Sequence, residues 1–328
     1  MLHFIRSIKI INLLHINNVV ITLGDNNIQH LAIIGKNNGG KTLLLDNLQK
    51  CLDSIRNNHV AFLEDWIYER AELNHTKQLL DNKLKFADAT STVNLIQMQQ
   101  KITEIALEEV NFKLLQYKTD TIYCNFNSPE KIYSDFVAHR FLLIYFTENR
   151  NFIANIDEHD GYYKDFIAYI TQLKQEYLDG PVAQYEKMSS KEVIRQNLMA
   201  WLSIFERCFS EIIKEYDLQM SWDAETKEFV LVDVKNSKRF SMLELSKGHL
   251  AILGIVSRII AKAREGELAL YDIKGIILID EVELHLDINL QERVLPFLTQ
   301  LFPKVQFIIS SHNIGVLSHV KDFVTFQL

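Results

Sequence analysis

Gly35, Gly40, Lys41 and Thr42 stand in the spacing G-x-x-x-x-G-K-[ST], inside the stretch "LAIIGKNNGGKTLL" at residues 31–44. That spacing suits the cradling of a phosphate chain. Gly35, Gly39 and Gly40 let the backbone turn its N–H groups inward, and Asn37 and Asn38 tolerate the left-handed conformations that such a nest requires. Lys41 is placed to pair with the β- and γ-phosphates of a nucleotide, and the Thr42 hydroxyl to hold Mg²⁺. The flanks agree. Leu31 to Ile34 reads as a buried strand, and Leu43, Leu44, Leu45 and Leu48 as one face of a helix whose N-terminal dipole adds to the site. The plainer alternative is a glycine-rich turn with a solvated lysine.

Further along, "GIILIDEVELHLD" at 275–287 is an apolar strand that ends in acids. Asp280 there would orient the shell of a Mg²⁺ ion, and Glu281 would polarise an attacking water. An acidic strand end facing solvent is the alternative. "VQFIISSHN" at 305–313 is a second apolar strand with His312 at its tip, a contact for the γ-phosphate or a structural histidine. In "LELSKGHLAILGIVSRII" at 243–260, Ser246 precedes a strongly apolar helix, as an N-cap does.

The order of these four segments carries a family resemblance. "LSKG" at 245–248 resembles the L-S-x-G signature of ABC-type ATPases, and loop, signature, "LIDE" and "SSHN" follow one another as in the ABC ATPase head. The texture from Asp280 to Asn313 is similar to the RecF, Rad50 and OLD-like branch, in which an acidic pair precedes E-x-H-L. Single-chain relatives of this kind recur as ATPase subunits of bacterial antiphage systems such as Septu and PARIS, and in retron-linked operons. The resemblance covers residues 1–50 and 240–328. It implies that Ser246 and Gly248, at the head of their helix, bind the γ-phosphate of ATP held by another copy, so that ATP joins a homodimer or higher oligomer. Asp287 takes the place of a loop that touches the opposite subunit, and Arg150 lies in "FTENRN", a polar segment after a core strand. Few residues follow His312, and the metal-binding nuclease domain of OLD-type proteins is not expected here. A separately encoded effector, such as a nuclease, is therefore the expected partner, with DNA as a second candidate.

The elements that must position these residues are legible too. Residues 1–34 alternate like an antiparallel hairpin leading into the loop strand. From 41 to 160 there is no glycine and Pro129 is the lone proline, so most of that stretch should be helical. Two helices at 64–86 and 93–118 flank "ADATSTVN". Leu95, Met98, Ile102, Ile105 and Phe112 recur in the second at near-heptad spacing, broken by Glu109. This fits a coiled-coil hairpin or an amphipathic helix on the core. Strands are expected at 121–127 and 141–146, helices over 163–216 and a hairpin in "LQMSWDAETKEFVLVDV". The expected fold is α/β: a phosphate-loop ATPase head (1–50 and 240–328) with an N-terminal antiparallel lobe, and an insertion (51–239) holding the hairpin and further strands and helices of the head.

Composition bounds the rest. The chain has 328 residues, 48% of them hydrophobic and 23% charged, which is ordinary for a globular protein. No apolar run is long enough to span a membrane, and "MLHFIRSIKI" lacks a secretory pattern, so a cytoplasmic protein is expected. Three scattered cysteines form no C-x-x-C pair and argue against a disulfide framework or a zinc site. A net charge of −7 gives no global basic footprint for nucleic acid. Three functions stay open: an ATP-hydrolysing clamp that controls an effector, a DNA-repair ATPase, and a non-hydrolysing nucleotide-dependent scaffold.

Overall fold

Period-two alternation at the start of the chain builds two antiparallel strands, β1 (Ile5–Leu13) and β2 (Ile16–Thr22), and an unbroken apolar run then forms β3 (His30–Ile34). The computed structural model describes every residue except 1, 26, 37, 87–89, 149–161, 180–187, 215–216 and 267. Asn37 and Arg150 lie outside the described residues. Helices α1 (Lys41–Arg56), α2 (Leu63–Lys85) and α3 (Thr90–Leu115) follow the loop. Next come β4 (Ile122–Phe126), α4 (Pro129–Val137), β5 (Leu142–Phe146), α5 (Tyr162–Asp179) and α6 (Met188–Ile213). A three-stranded meander, β6 (Leu218–Asp223), β7 (Glu228–Asp233) and β8 (Arg239–Ser241), leads to α7 (Lys247–Glu265) and β9 (Lys274–Ile279). The chain closes with α8 (Ile288–Leu301), β10 (Lys304–Ser311) and β11 (Phe323–Gln327).

The contacts divide these elements into two compact units. One comprises residues 5–22 and 43–137. In it β1 pairs antiparallel with both β2 and β4, and its register with β4 shifts between Ile5 and Ser7. α2 and α3 pack as a hairpin. The face of α3 that meets α2 carries Ile96, Leu107, Val110 and Leu114, and Leu80 is buried on α2. Lys77 reaches Glu104 at 2.9 Å, and the Gln100 amide donates to Asp81 at 2.8 Å. The heptad residues singled out in the sequence point the other way: Leu95, Met98, Ile102, Ile105 and Phe112 are all exposed. Periodicity finds a stripe but does not say what covers it, and the hairpin seam uses a second stripe of the same helix.

The other unit comprises residues 1–4, 23–42 and 138–328. Its centre is a five-stranded parallel sheet of order β11-β3-β10-β9-β5. Strands buried on both faces of a parallel sheet need apolar residues throughout, and β3, β9 and β10 are buried almost end to end. α7 is buried on nearly all sides, from Gly248 through Ser257 without a break. α6 brings Trp201, Phe205 and Phe209 into a stack that meets Phe297 of α8, and the Trp201 indole donates to the Leu301 carbonyl at 3.2 Å. The expected α/β head, with its parallel sheet, its antiparallel lobe and its helical insertion, is the architecture observed. All three cysteines are buried free thiols.

His30, at the start of β3, is a buried titratable group of this sheet. Its ring packs on Phe307 and Phe323, and its Nδ1 accepts the Phe307 N–H at 3.0 Å. Burial holds the imidazole down at about 4, against the upward pull of the Asp322 carboxylate. The unfolded chain takes up this proton near 6.5 and the folded chain only near 4, so His30 contributes full stability above 6.5 and loses it as pH falls toward 4. The loss should be about 3 kcal/mol between pH 7 and pH 4. Denaturant titrations at a series of pH values should show this decline, and His30→Gln, which keeps an acceptor but does not titrate, should flatten it by that amount.

Candidate active site

The site is assembled by register. β10 pairs in parallel with β3, Ser311 opposite Ile34, and with β9, Ile309 opposite Ile279. The carboxyl ends of all three strands therefore finish at one level. The phosphate-loop segment, the "SSHN" turn and the acidic turn leave the sheet side by side, with Asp280 two strands from Ile34, about 10 Å away. The Gly35 N–H donates to the Ser311 carbonyl at 3.2 Å, which fastens the loop entry to the tip of β10. A side chain at 35 would collide with the backbone: a Cβ there would lie 2.7 Å from the Leu328 carbonyl oxygen.

Among the described loop residues, two are left-handed. Asn38 is left-handed at φ 62° and Gly40 at φ 91°, while the Gly39 N–H donates to the Lys36 carbonyl at 3.1 Å. Lys41 is buried, and its ammonium bonds the carbonyls of Gly35 and Lys36, both at 2.9 Å. These bonds hold the lysine across the loop it belongs to. Thr42 is the second residue of α1 and half-buried.

At the end of β9, Asp280 is fully buried, its N–H bonded to the Phe146 carbonyl at 2.8 Å. The Ser310 hydroxyl donates to the Asp280 carboxylate and accepts the Glu281 N–H at 2.8 Å. One hydroxyl thus orients two consecutive acids. Glu281 sits at φ 46°, a conformation that costs a non-glycine residue on the order of 1–2 kcal/mol and turns its side chain out of the strand's alternation. His312 is half-exposed. Its backbone N–H donates to Glu283 Oε1 at 2.7 Å, and its Nδ1 lies 2.5 Å from the same oxygen. The buried Glu283 therefore holds both the backbone and the ring of His312, the ring through Nδ1. Sequence reasoning singled out neither Ser310 nor Glu283. Glu283 is the first residue of the E-x-H-L pattern, and its partner lies 29 positions away.

Ser246 and Gly248 form a separate group. Ser246 is the N-cap residue of α7, but its side chain makes no cap bond and instead meets His249 Nδ1 at 2.7 Å. The expected side-chain cap is thus replaced by a bond to the next turn. Burial holds the His249 imidazole below its ordinary value, against the opposing charge of Asp287. Gly248 is buried so tightly that a Cβ would lie 2.7 Å from Leu290 Cδ1 and 3.3 Å from the His285 carbonyl. Asp287 caps α8 by accepting from Asn289 and Leu290 N–H at 3.1 Å. The signature turn and the 285–290 segment therefore pack as one block.

With the geometry established, likeness to known proteins adds the lineage. The family profile described as "AAA domain, putative AbiEii toxin, Type IV TA system" matches residues 124–318, more than half of the chain. The chain belongs to this family. It is also similar to two proteins named as probable ATPases of retrons. "Retron Vc95 probable ATPase" of Vibrio cholerae serotype O1 biovar El Tor is 26% identical over 346 residues, which cover 88% of this chain and 66% of that protein. "Retron Ec83 probable ATPase" of Escherichia coli is 34% identical over 87 residues, 26% of this chain and 16% of that protein. The AAA-domain chain thus spans just under two thirds of the first relative's length and a small part of the second's. Among solved structures, an SMC head bound to the C-winged helix domain of ScpA aligns with TM-score 0.41 at 14% identity, over 96% of this chain and 91% of that one. A nucleotide-free ATP-binding cassette from an ABC transporter aligns with TM-score 0.35 at 11% identity, over 99% and 89%.

Ser310→Ala removes the acceptor of the Glu281 N–H and a donor to the buried Asp280 in one step. Unfolding by denaturant should show a loss of about 1–3 kcal/mol. Ser310→Thr, which keeps the hydroxyl, should recover part of it.

Proposed function

We propose that this protein binds ATP with Mg²⁺ and hydrolyses it at a site completed by a second copy, and that the cycle governs a separately encoded effector in antiphage defence. The observation that carries the proposal is the convergence of Lys41, Asp280, Glu281 and His312 on the carboxyl edge of one parallel sheet, beside a loop with left-handed residues at 38 and 40. Similarity to two proteins named as probable ATPases of retrons supports the ATPase reading, and the resemblance to antiphage ATPase subunits supports the effector role.

In this reading Lys41 exchanges one or both loop carbonyls for the β- and γ-phosphate oxygens as ATP enters. The donor set fits Mg²⁺, a hard cation that takes few protein oxygens and keeps its waters: Thr42 offers a hydroxyl and Asp280 a buried carboxylate already oriented by Ser310. When bound, the ion neutralises charge on the transferring phosphoryl group. Glu281, displaced from the strand's alternation, takes the position of the base that orients and polarises the attacking water. His312, steered by Glu283, offers Nε2 to the γ-phosphate. Ser246, held by His249, serves the ATP of the facing copy, with Gly248 allowing the close packing against residues 285–290 that shapes that turn.

Turnover of ATP by the purified chain, with and without duplex DNA, tests the reading. Glu281→Gln should lower turnover by about 10²- to 10³-fold and leave nucleotide binding within about threefold, whereas Lys41→Ala should abolish binding. Turnover by Glu281→Gln at the wild-type rate would sink the assigned base. Turnover that rises steeply with DNA would replace the effector-controlling clamp with a repair-like one.

A further inference from the structure

We infer that the outward face of α3 is a homodimer interface, in which α3 of one copy lies antiparallel against α3 of a second, independently of nucleotide.

The stripe is large, regular and uncovered. Leu95, Met98, Ile102, Ile105 and Phe112 are between 59% and 68% exposed. Their spacing is three, four, three and seven residues, with Glu109 at the position between Ile105 and Phe112. That is the a/d pattern of a coiled-coil seam, narrower than the broad apolar face by which a helix lies on a globular core. The opposite face of α3 already has its partner, since Ile96, Leu107, Val110 and Leu114 are buried toward α2. A helix apolar on two opposed faces wants a neighbour on each, and a 3.5-residue period specifies that the missing neighbour is another helix.

The sequence selects which helix and which direction. A parallel pair in register would stack Glu109 on Glu109, two like charges in the seam. An antiparallel pair with its two-fold axis between Ile102 and Ile105 sets Ile102 against Ile105 and Leu95 against Phe112 of the second copy. Glu109 then meets Met98, and its carboxylate is drawn aside by Lys113, 3.0 Å away on its own helix. The same register brings exposed Lys101 beside exposed Glu108 of the second copy, twice by symmetry. Apolar layers and charges therefore agree on one arrangement of two identical chains.

The test uses the full chain without nucleotide, by sedimentation equilibrium and light scattering. Wild type should be a dimer at micromolar concentration, and so should Lys41→Ala, which separates this interface from any pairing through ATP. Ile102→Asp should be monomeric with unchanged circular dichroism, because the substituted side chain is exposed. Lys101→Glu and Glu108→Lys, each alone, should weaken dimerisation by about tenfold, and the two together should restore it to within about threefold. A monomeric wild type, a dimer indifferent to Ile102→Asp, or a double reversal no better than the singles would overturn the proposal. Since the double reversal keeps the apolar stripe intact, its rescue or failure reports register rather than folding.

Discussion

The parallel register of β3, β10 and β9 is the constraint on which the rest of the head depends. These strands are distant in sequence, at 30–34, 304–311 and 274–279, yet their carboxyl ends finish together. A slip of one residue in either pairing would invert the faces of a strand buried on both sides. It would also separate Asp280 from the Ser310 hydroxyl that orients it. Apolar matching along the strands thus positions polar chemistry at their ends. The same hydroxyl receives the Glu281 N–H, so the pairing reaches one residue beyond the last ladder bond.

Strain is concentrated where this edge must turn. Glu281 and His285 both have positive φ, within a turn whose N–H groups are taken by Ser310, Glu281 and Glu283. A residue with a side chain is held in that region only when its surroundings over-determine it. Here the surroundings are the backbone bonds of the turn itself and the tip of β10. Lys41 is constrained in a comparable way by two carbonyls of its own loop. The two ends of the candidate site are therefore preorganised by buried contacts, the loop end by main-chain carbonyls and the acidic end by main-chain bonds together with the Ser310 hydroxyl.

Much of this was legible in the sequence, for definite reasons. The loop announces itself because phosphate chemistry demands glycines, a lysine and a hydroxyl at fixed offsets. β9 and β10 announce themselves because continuous apolar runs ending in polar residues have few other uses. The role of Glu283 was hidden, since a carboxylate two residues beyond an acidic pair looks like more of the same until its partner is known to be His312. Ser246 holds the N-cap position that its place before the helix suggested, but its hydroxyl is engaged by His249, three residues on, in place of a cap bond. Gly248 reads as a signature residue, but nothing in the sequence reveals that Leu290 lies within contact of its missing side chain.

The α3 stripe shows a different limit of the sequence. Its period fits both a coiled-coil hairpin and an amphipathic helix lying on the core, and spacing alone does not choose between them. Heptad spacing encodes a helical partner but not its address, and α3 carries two such stripes on opposed sides. Burial resolves the ambiguity by showing which side α2 occupies. Charge then gives the remaining side a direction, because Glu109 is tolerable opposite Met98 and intolerable opposite itself. The signature turn and the α3 stripe fall in different compact units, and each is self-complementary in the proposed assemblies. A chain with two distinct isologous surfaces is not limited to a dimer: the pairings either close into a tetramer of dihedral symmetry or propagate. Nucleotide would then govern only one of the two contacts, and the α3 pairing would keep protomers together while the ATP-dependent contact opens and closes.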